Sequence, residues 1–244
     1  MSKILISLYG VVSYIIFFLS FLYAIGFVGN MLVPKSIDSG ESTTFTIALI
    51  TNLILLTLFA VQHSVMARPA FKSWFTKYIP AAIERSTYVL LSSLLLFLLY
   101  YLWQPMPDII WNVESSIGNM ILLGFFWFGW LIVLLSTFMI NHFDLFGLRQ
   151  VYINFKGQEY KHLEFRMVGL YRLCRHPIML GFIIAFWATP LMTMGPLLFA
   201  AVTTAYIFVA LQFEERDLIT FFGDTYKNYQ NKVPMVFPWF RKSK

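Results

Sequence analysis

Six long apolar runs, at about 4–29, 44–66, 86–104, 117–140, 178–192 and 196–213, dominate this chain and decide what it can become. A helix needs about 20 residues to cross a hydrocarbon core, and the first four runs are each long enough. Only 12% of the residues are charged, against about 25% in a soluble domain. The runs predict an all-α integral membrane protein, a bundle of about five to six membrane helices. Disorder, a disulfide scaffold and a collagen-like chain are excluded, and the single Cys174 has no intramolecular partner. The opening Met-Ser-Lys and its apolar run resemble a signal peptide. No small-residue cleavage site follows, however, and Tyr14 and Tyr23 interrupt the run, so it reads as a retained first span.

Charge placement sets the expected orientation, because basic residues stay on the cytoplasmic side of short loops. The segment 67–85 carries Arg68, Lys72, Lys77 and Arg85 against Glu84, whereas 105–116 carries only Asp108 and Glu114. The first loop is expected in the cytoplasm, with the N- and C-termini, in a bacterial cytoplasmic membrane. The run from 178 to 213 would reach about 50 Å as one straight helix and overshoot the bilayer. Thr189-Pro190 and Gly195-Pro196 supply a break. The last two helices are therefore expected as a helix-turn-helix hairpin, and 141–177 and 214–244 as a small cytosolic cap. The chain reads as a single membrane domain, 1–244.

Two polar clusters flank that hairpin. The first runs from Gly169 through Tyr171, Arg172, Cys174, Arg175 and His176 to Pro177, with Gly181 one turn later. Proline suits the first helical position, so Arg175 and His176 stand at a helix N-terminus that attracts a carboxylate. Gly181 would let a flat group approach the backbone. The second cluster is Glu214-Glu215 with Leu218, Phe222-Gly223, Tyr226, Tyr229 and Val233-Pro234. Two adjacent carboxylates near lipid are costly unless paired or functional. They are candidates for a ligand's ammonium or ribose hydroxyls, or for a salt bridge to Arg216, Arg175 or Arg172.

Arg-His-Pro with Gly181, then Glu-Glu-x-x-Leu-x-x-Phe-Phe-Gly-x-x-Tyr-x-x-Tyr and Val-Pro, resembles the intramembrane S-adenosylmethionine-dependent methyltransferases. Isoprenylcysteine carboxyl methyltransferase typifies them. The resemblance covers 169–238 and implies that Tyr171, Arg175, His176, Glu214, Glu215 and Tyr229 contribute to the S-adenosyl-L-methionine site. The stretches 61–68 (with His63), 84–88 and 141–150 (with His142 and Asp144) resemble the methanethiol S-methyltransferases and the related NnrU-like proteins. That likeness implies the acceptor side of the site.

A small thiol acceptor fits the residues. The thiolate is the nucleophile, and a free thiol such as cysteine has a pKa of about 8.5, so a base is wanted beside the donor. His142, Asp144 and His63 are the catalytic candidates. Asp144 orients the imidazole only if the fourth helix has ended before it, since i and i+2 on a helix do not face one another; otherwise it pairs with Arg149 or Arg85. The expected partners are a small-molecule thiol and the lipid bilayer. The expected reaction is direct in-line methyl transfer to a thiolate, methanethiol giving dimethyl sulfide. Methylation of a prenylated cysteine carboxylate or a lipid amine, and a non-enzymatic NnrU-like membrane protein, are the alternatives. No metal-ligand spacing, phosphate loop or nucleic-acid module is present in the sequence, so no metal and no nucleic acid are expected.

Overall fold

The first three apolar runs become long helices of one compact unit, which comprises the residues up to Met106 together with Asn141–Leu163. The computed structural model describes residues 2–238. Helices α1 (Lys3–Gly29) and α2 (Phe45–Ala67) are followed by a short α3 (Pro69–Phe75) and by α4 (Ala81–Leu102). Tyr9 hydrogen-bonds Thr87 at 3.0 Å and Tyr23 stacks on Tyr100 at 5.0 Å, so α1 and α4 run parallel. Helix α2 runs the other way: Asn52 at its start bonds both backbone groups of Gln104, just beyond α4, and His63 near its end meets Tyr88 at the start of α4. Without water in the hydrocarbon core, buried hydroxyls must find partners inside the protein. Ser13 and Ser93 do so on the carbonyls one turn back, Tyr9 and Val89, at 2.8 Å.

The second unit comprises Pro107–Ile140 and Glu164–Lys244, of which the residues to Pro238 are described. It opens with β1 (Ile109–Asn112) and α5 (Ser116–Ile140). The chain then enters the first unit for α6 (His142–Leu145) and α7 (Leu148–Phe155). It returns for a 3-10 turn at Gly169–Arg172, α8 (Pro177–Trp187), β2 (Leu191–Thr193), α9 (Met194–Phe222) and α10 (Asp224–Lys232). The break predicted in the last apolar run falls at Ala188–Thr193. Pro196 sits in the first turn of α9, where its missing N–H costs nothing.

Helix α8 has 11 residues and a length of about 16 Å, too short for a hydrocarbon core of about 30 Å. The 29 residues of α9 reach about 43 Å. Among the described residues, five helices (α1, α2, α4, α5 and α9) are long and apolar enough to cross a membrane, with α8 as a shorter apolar sixth. The protein is an all-α integral membrane bundle ending in the expected hairpin. One element escaped the sequence: β1 and β2 form a small antiparallel pair that ties the start of α5 to the turn of the hairpin.

Close approach of α5 and α8 rests on two glycines. A Cβ on Gly181 would lie 2.6 Å from the Gly129 carbonyl oxygen, and one on Gly129 equally close to that of Gly181. Gly181 was expected to admit a flat group to the backbone; what it admits is the neighbouring helix.

Candidate active site

In the second unit the residues before α8 and after α9 are drawn together. Cys174, Leu180 and Ile183 bury against Ile207 and Leu211, which stand at i and i+4 on α9. The next position of that stripe is Glu215, so the packing face that closes the hairpin delivers a carboxylate to its base. Arg175 meets it with two bonds, Nε to Oε1 at 2.6 Å and NH2 to Oε2 at 3.0 Å. Both side chains are 8% exposed. His176 Nε2 reaches Oε1 at 3.1 Å, Tyr226 donates to Oε1 at 3.3 Å and Gln230 donates to Oε2 at 2.9 Å. The remaining guanidinium nitrogen of Arg175 donates to the Gln230 and Val233 carbonyls. A buried charge pair is tolerable only when its lone pairs and protons are met in this way.

The backbone is held as tightly. The N–H groups of Arg175 and His176 donate to the Pro234 and Met235 carbonyls at 2.9 and 3.0 Å. Gly169 takes φ +47°, and a Cβ there would strike the Met139 sulfur. Tyr229 donates to the Tyr171 carbonyl. The carboxylate expected at the N-terminus of α8 is thus the chain's own Glu215, and its bonds come from side chains. Of the two neighbouring glutamates, Glu215 is the salt-bridged one.

Glu214 faces another way. Successive residues on a helix point about 100° apart, and the Glu214 side chain is 46% exposed while its carboxylate stands 4.0 Å from His176 Nδ1. Its charge and burial together raise the Tyr171 phenol above its ordinary range, burial being the larger cause. Tyr229 is raised too, chiefly by burial. Burial pushes the Cys174 thiol up to about 11, which makes it inert packing material. Glu214 and His176 form a half-open polar pair resting on the closed Arg175–Glu215 frame, within electrostatic reach of the Tyr171 phenol, which donates to the Ser136 carbonyl at 3.4 Å. An exposed carboxylate beside an imidazole suits an ammonium or hydroxyl-bearing ligand. Gln230, which completes the frame, was not anticipated; its only signal was the i+4 spacing from Tyr226.

In the first unit His142 and Asp144 sit on a tight turn. Asn141 adopts φ 131° and its side chain accepts the Asp144 N–H at 3.0 Å, starting α6. Gly147 at φ +89° lies against Ser86, where a Cβ would come within 2.8 Å of backbone. The helix before the turn has ended, as orientation of His142 by Asp144 requires, yet the two do not pair. Asp144 bonds Arg149 at 2.8 Å, Tyr160 at 3.0 Å and the Gln150 amide. His142 bonds the Tyr14 hydroxyl through Nε2 at 2.8 Å. His142 is 7% exposed, and burial lowers its pKa, so the ring is neutral near pH 7. The Tyr160 phenol is raised by burial and by Asp144.

His63 lies deeper, on α2. The Tyr88 hydroxyl stands 2.8 Å from its Nε2 and Ser92 Oγ 3.2 Å from its Nδ1, with Phe59 stacked at 5.1 Å. Tyr88 links this group to the turn: Arg85 lies over the Tyr88 ring at 4.9 Å and donates to the Leu145 carbonyl at 2.7 Å. The structure therefore gathers Tyr171, Arg175, His176, Glu214, Glu215 and Tyr229 in one unit. His142, Asp144 and His63 occupy the other, with Tyr14, Tyr88 and Tyr160 added to them.

The NnrU protein family model matches residues 52–215. A curated relative from Bradyrhizobium diazoefficiens, methanethiol S-methyltransferase 2, is 58% identical over 97% of this chain and 91% of its own. Methanethiol S-methyltransferase from Mycobacterium tuberculosis is 54% identical over 98% of each chain. The protein of that name from Crocosphaera subtropica is 49% identical over 99% of this chain and 95% of its own. No solved structure matches.

Proposed function

This chain belongs to the NnrU family, and on that premise we propose that it is a methanethiol S-methyltransferase, converting methanethiol to dimethyl sulfide with S-adenosyl-L-methionine as methyl donor. The observation that carries the reading is an identity of 49–58%, over nearly the full length, with several curated proteins of that name. The donor supplies an electrophilic methyl group on a positively charged sulfur. The thiolate sulfur forms a bond to that methyl carbon as the carbon–sulfonium bond breaks, giving a thioether and S-adenosylhomocysteine. The thiol proton passes to a base.

The chain's residues divide this work. We assign the donor to 169–238, with Glu214, His176 and Tyr171 contacting it and Arg175, Glu215 and Tyr229 holding them in place. The exposure of Glu214 and the closed bonding of Glu215 support that division. We assign the acceptor side to 61–68, 84–88 and 141–150. His142, neutral near pH 7, is the base; Asp144 fixes the turn that presents it through Arg149 and Tyr160. His63 adds a second imidazole to that side. Excluding water from reactants held in line supplies the acceleration. The protein belongs in the bacterial cytoplasmic membrane with both termini in the cytoplasm, a reading supported by the basic loop 67–85 and the acidic one at 105–116.

The deciding experiment incubates the purified protein with S-adenosylmethionine and methanethiol and measures dimethyl sulfide in the headspace. Its formation is expected; none, from protein that binds the methyl donor, would send the search to another acceptor.

A further inference from the structure

We propose that Tyr14 is a positioning residue for His142, an inference that rests on the reading of this protein as a thiol methyltransferase whose base is His142. Tyr14 lies on α1, outside the stretches that carry the family resemblance. Its hydroxyl stands 2.8 Å from His142 Nε2, and its ring meets the imidazole edge-on, 5.7 Å between centroids. Phe146 lies 4.8 Å from the imidazole and stacks on Phe17 at 3.8 Å; Phe17 in turn lies 5.9 Å from Tyr14. The Tyr14 hydrogen bond and a wall of rings thus grip the imidazole.

This grip matters because of where His142 sits. The four-residue α6 starts at a backbone angle few residues adopt, and so short a helix gives its own side chains little support. A catalytic imidazole is usually oriented by a carboxylate or a carbonyl on one ring nitrogen. Here the neighbouring carboxylate, Asp144, has bonded to Arg149, Tyr160 and Gln150. The hydroxyl of Tyr14 takes its place. Being both donor and acceptor, it bonds Nε2 whether or not that nitrogen bears a proton, so the ring keeps its direction before and after it takes one from the thiol. The charged and titratable groups that bond to the turn include Arg85 from α4, Arg149 from α7 and Tyr160, besides Asp144 on the turn itself.

The test is Tyr14→Phe, which keeps the ring contacts and deletes only the oxygen. Deleting one partner costs the imidazolium more than the neutral ring, because a hydrogen bond to a charged group is roughly twice as strong. The expected result is a fall in kcat of about tenfold, equivalent to one such bond, with KM for S-adenosylmethionine unchanged. The acid limb of the pH profile should move down by about half a unit. An active wild type matched by Tyr14→Phe in kcat and pH profile overturns the role of Tyr14 alone. So does a variant whose KM rises while the profile stays put, the mark of a merely structural residue. Wild-type protein that methylates no thiol removes the underlying reading instead, and the two failures are therefore distinct.

Discussion

Arg175 and Glu215, 40 residues apart in the chain, share two hydrogen bonds of 2.6 and 3.0 Å with both side chains buried. That pair closes the C-terminal hairpin and brings the residues before α8 onto the residues after α9. Removing one member of a buried ion pair strands the other and costs about 3–5 kcal/mol. Glu215→Gln should therefore lower the melting temperature in detergent sharply. Arg175→Lys should do so as well, because an ammonium cannot reproduce the planar fork. A melting temperature within a degree or two of wild type would show that the pair is dispensable.

Glu214 offers the contrast. It is half-exposed and outside the frame, so Glu214→Gln should leave the melting temperature alone. If it holds the donor, losing a bond to a charged group of about 1.5–3 kcal/mol weakens S-adenosylmethionine affinity roughly 10- to 100-fold. Calorimetric titration of the variant reads this directly, and an unaltered Kd would remove Glu214 from the donor site.

The α5–α8 crossing predicts a different pattern among glycines. Gly181→Ala and Gly129→Ala each push a methyl to about 2.6 Å from a backbone carbonyl, and such overpacking costs about 1–3 kcal/mol. Gly124, on the same helix as Gly129, has nothing within 4 Å of an added Cβ. Gly124→Ala should be neutral or slightly stabilising. Equal melting temperatures for all three variants would contradict the crossing.

His142 sets the direction of a pH effect. Burial depresses its pKa from 6.5, so the folded protein binds fewer protons there than the unfolded chain. Its stabilising share is complete above about pH 6.5 and is lost as the pH falls toward the folded pKa. Activity should keep its plateau down to below pH 6.5 before the base protonates, whereas a rate already falling between pH 8 and 7 would exclude a neutral, buried His142 as the base.

Cys174 should resist alkylation. With its thiol pushed up to about 11 and its side chain buried, it holds almost no thiolate at pH 8. Maleimide labelling is expected only after unfolding in detergent and urea; rapid labelling of the folded protein would place the cysteine at the surface.

Much of this architecture could be read from the chain itself. The apolar runs at 4–29, 44–66, 86–104 and 117–140 lie within a few residues of α1, α2, α4 and α5. Pro190 lies in the hairpin turn and Pro196 in the first turn of the helix that follows it. Both follow from local physics: the cost of moving a segment into hydrocarbon depends on that segment's own composition, and proline acts on the residues beside it. The β1–β2 pair was invisible because each strand has only three or four residues and its partner lies far along the chain.

The same contrast runs through the candidate site. Glu214 and Glu215 were singled out together, and nothing in their order says which would be paired. Neighbouring helix positions diverge by about 100°, and the burial of Ile207 and Leu211 turned Glu215 inward and left Glu214 outward. Likewise His142 and Asp144 stood two residues apart and invited a direct bond, but Arg149 and Tyr160 took the carboxylate while Tyr14 took the imidazole. Composition and spacing chose the residue types and the membrane segments. Partner choice waited for folding, because a hydrogen bond needs direction as well as proximity, and in this chain direction comes from helices that meet only in the assembled bundle.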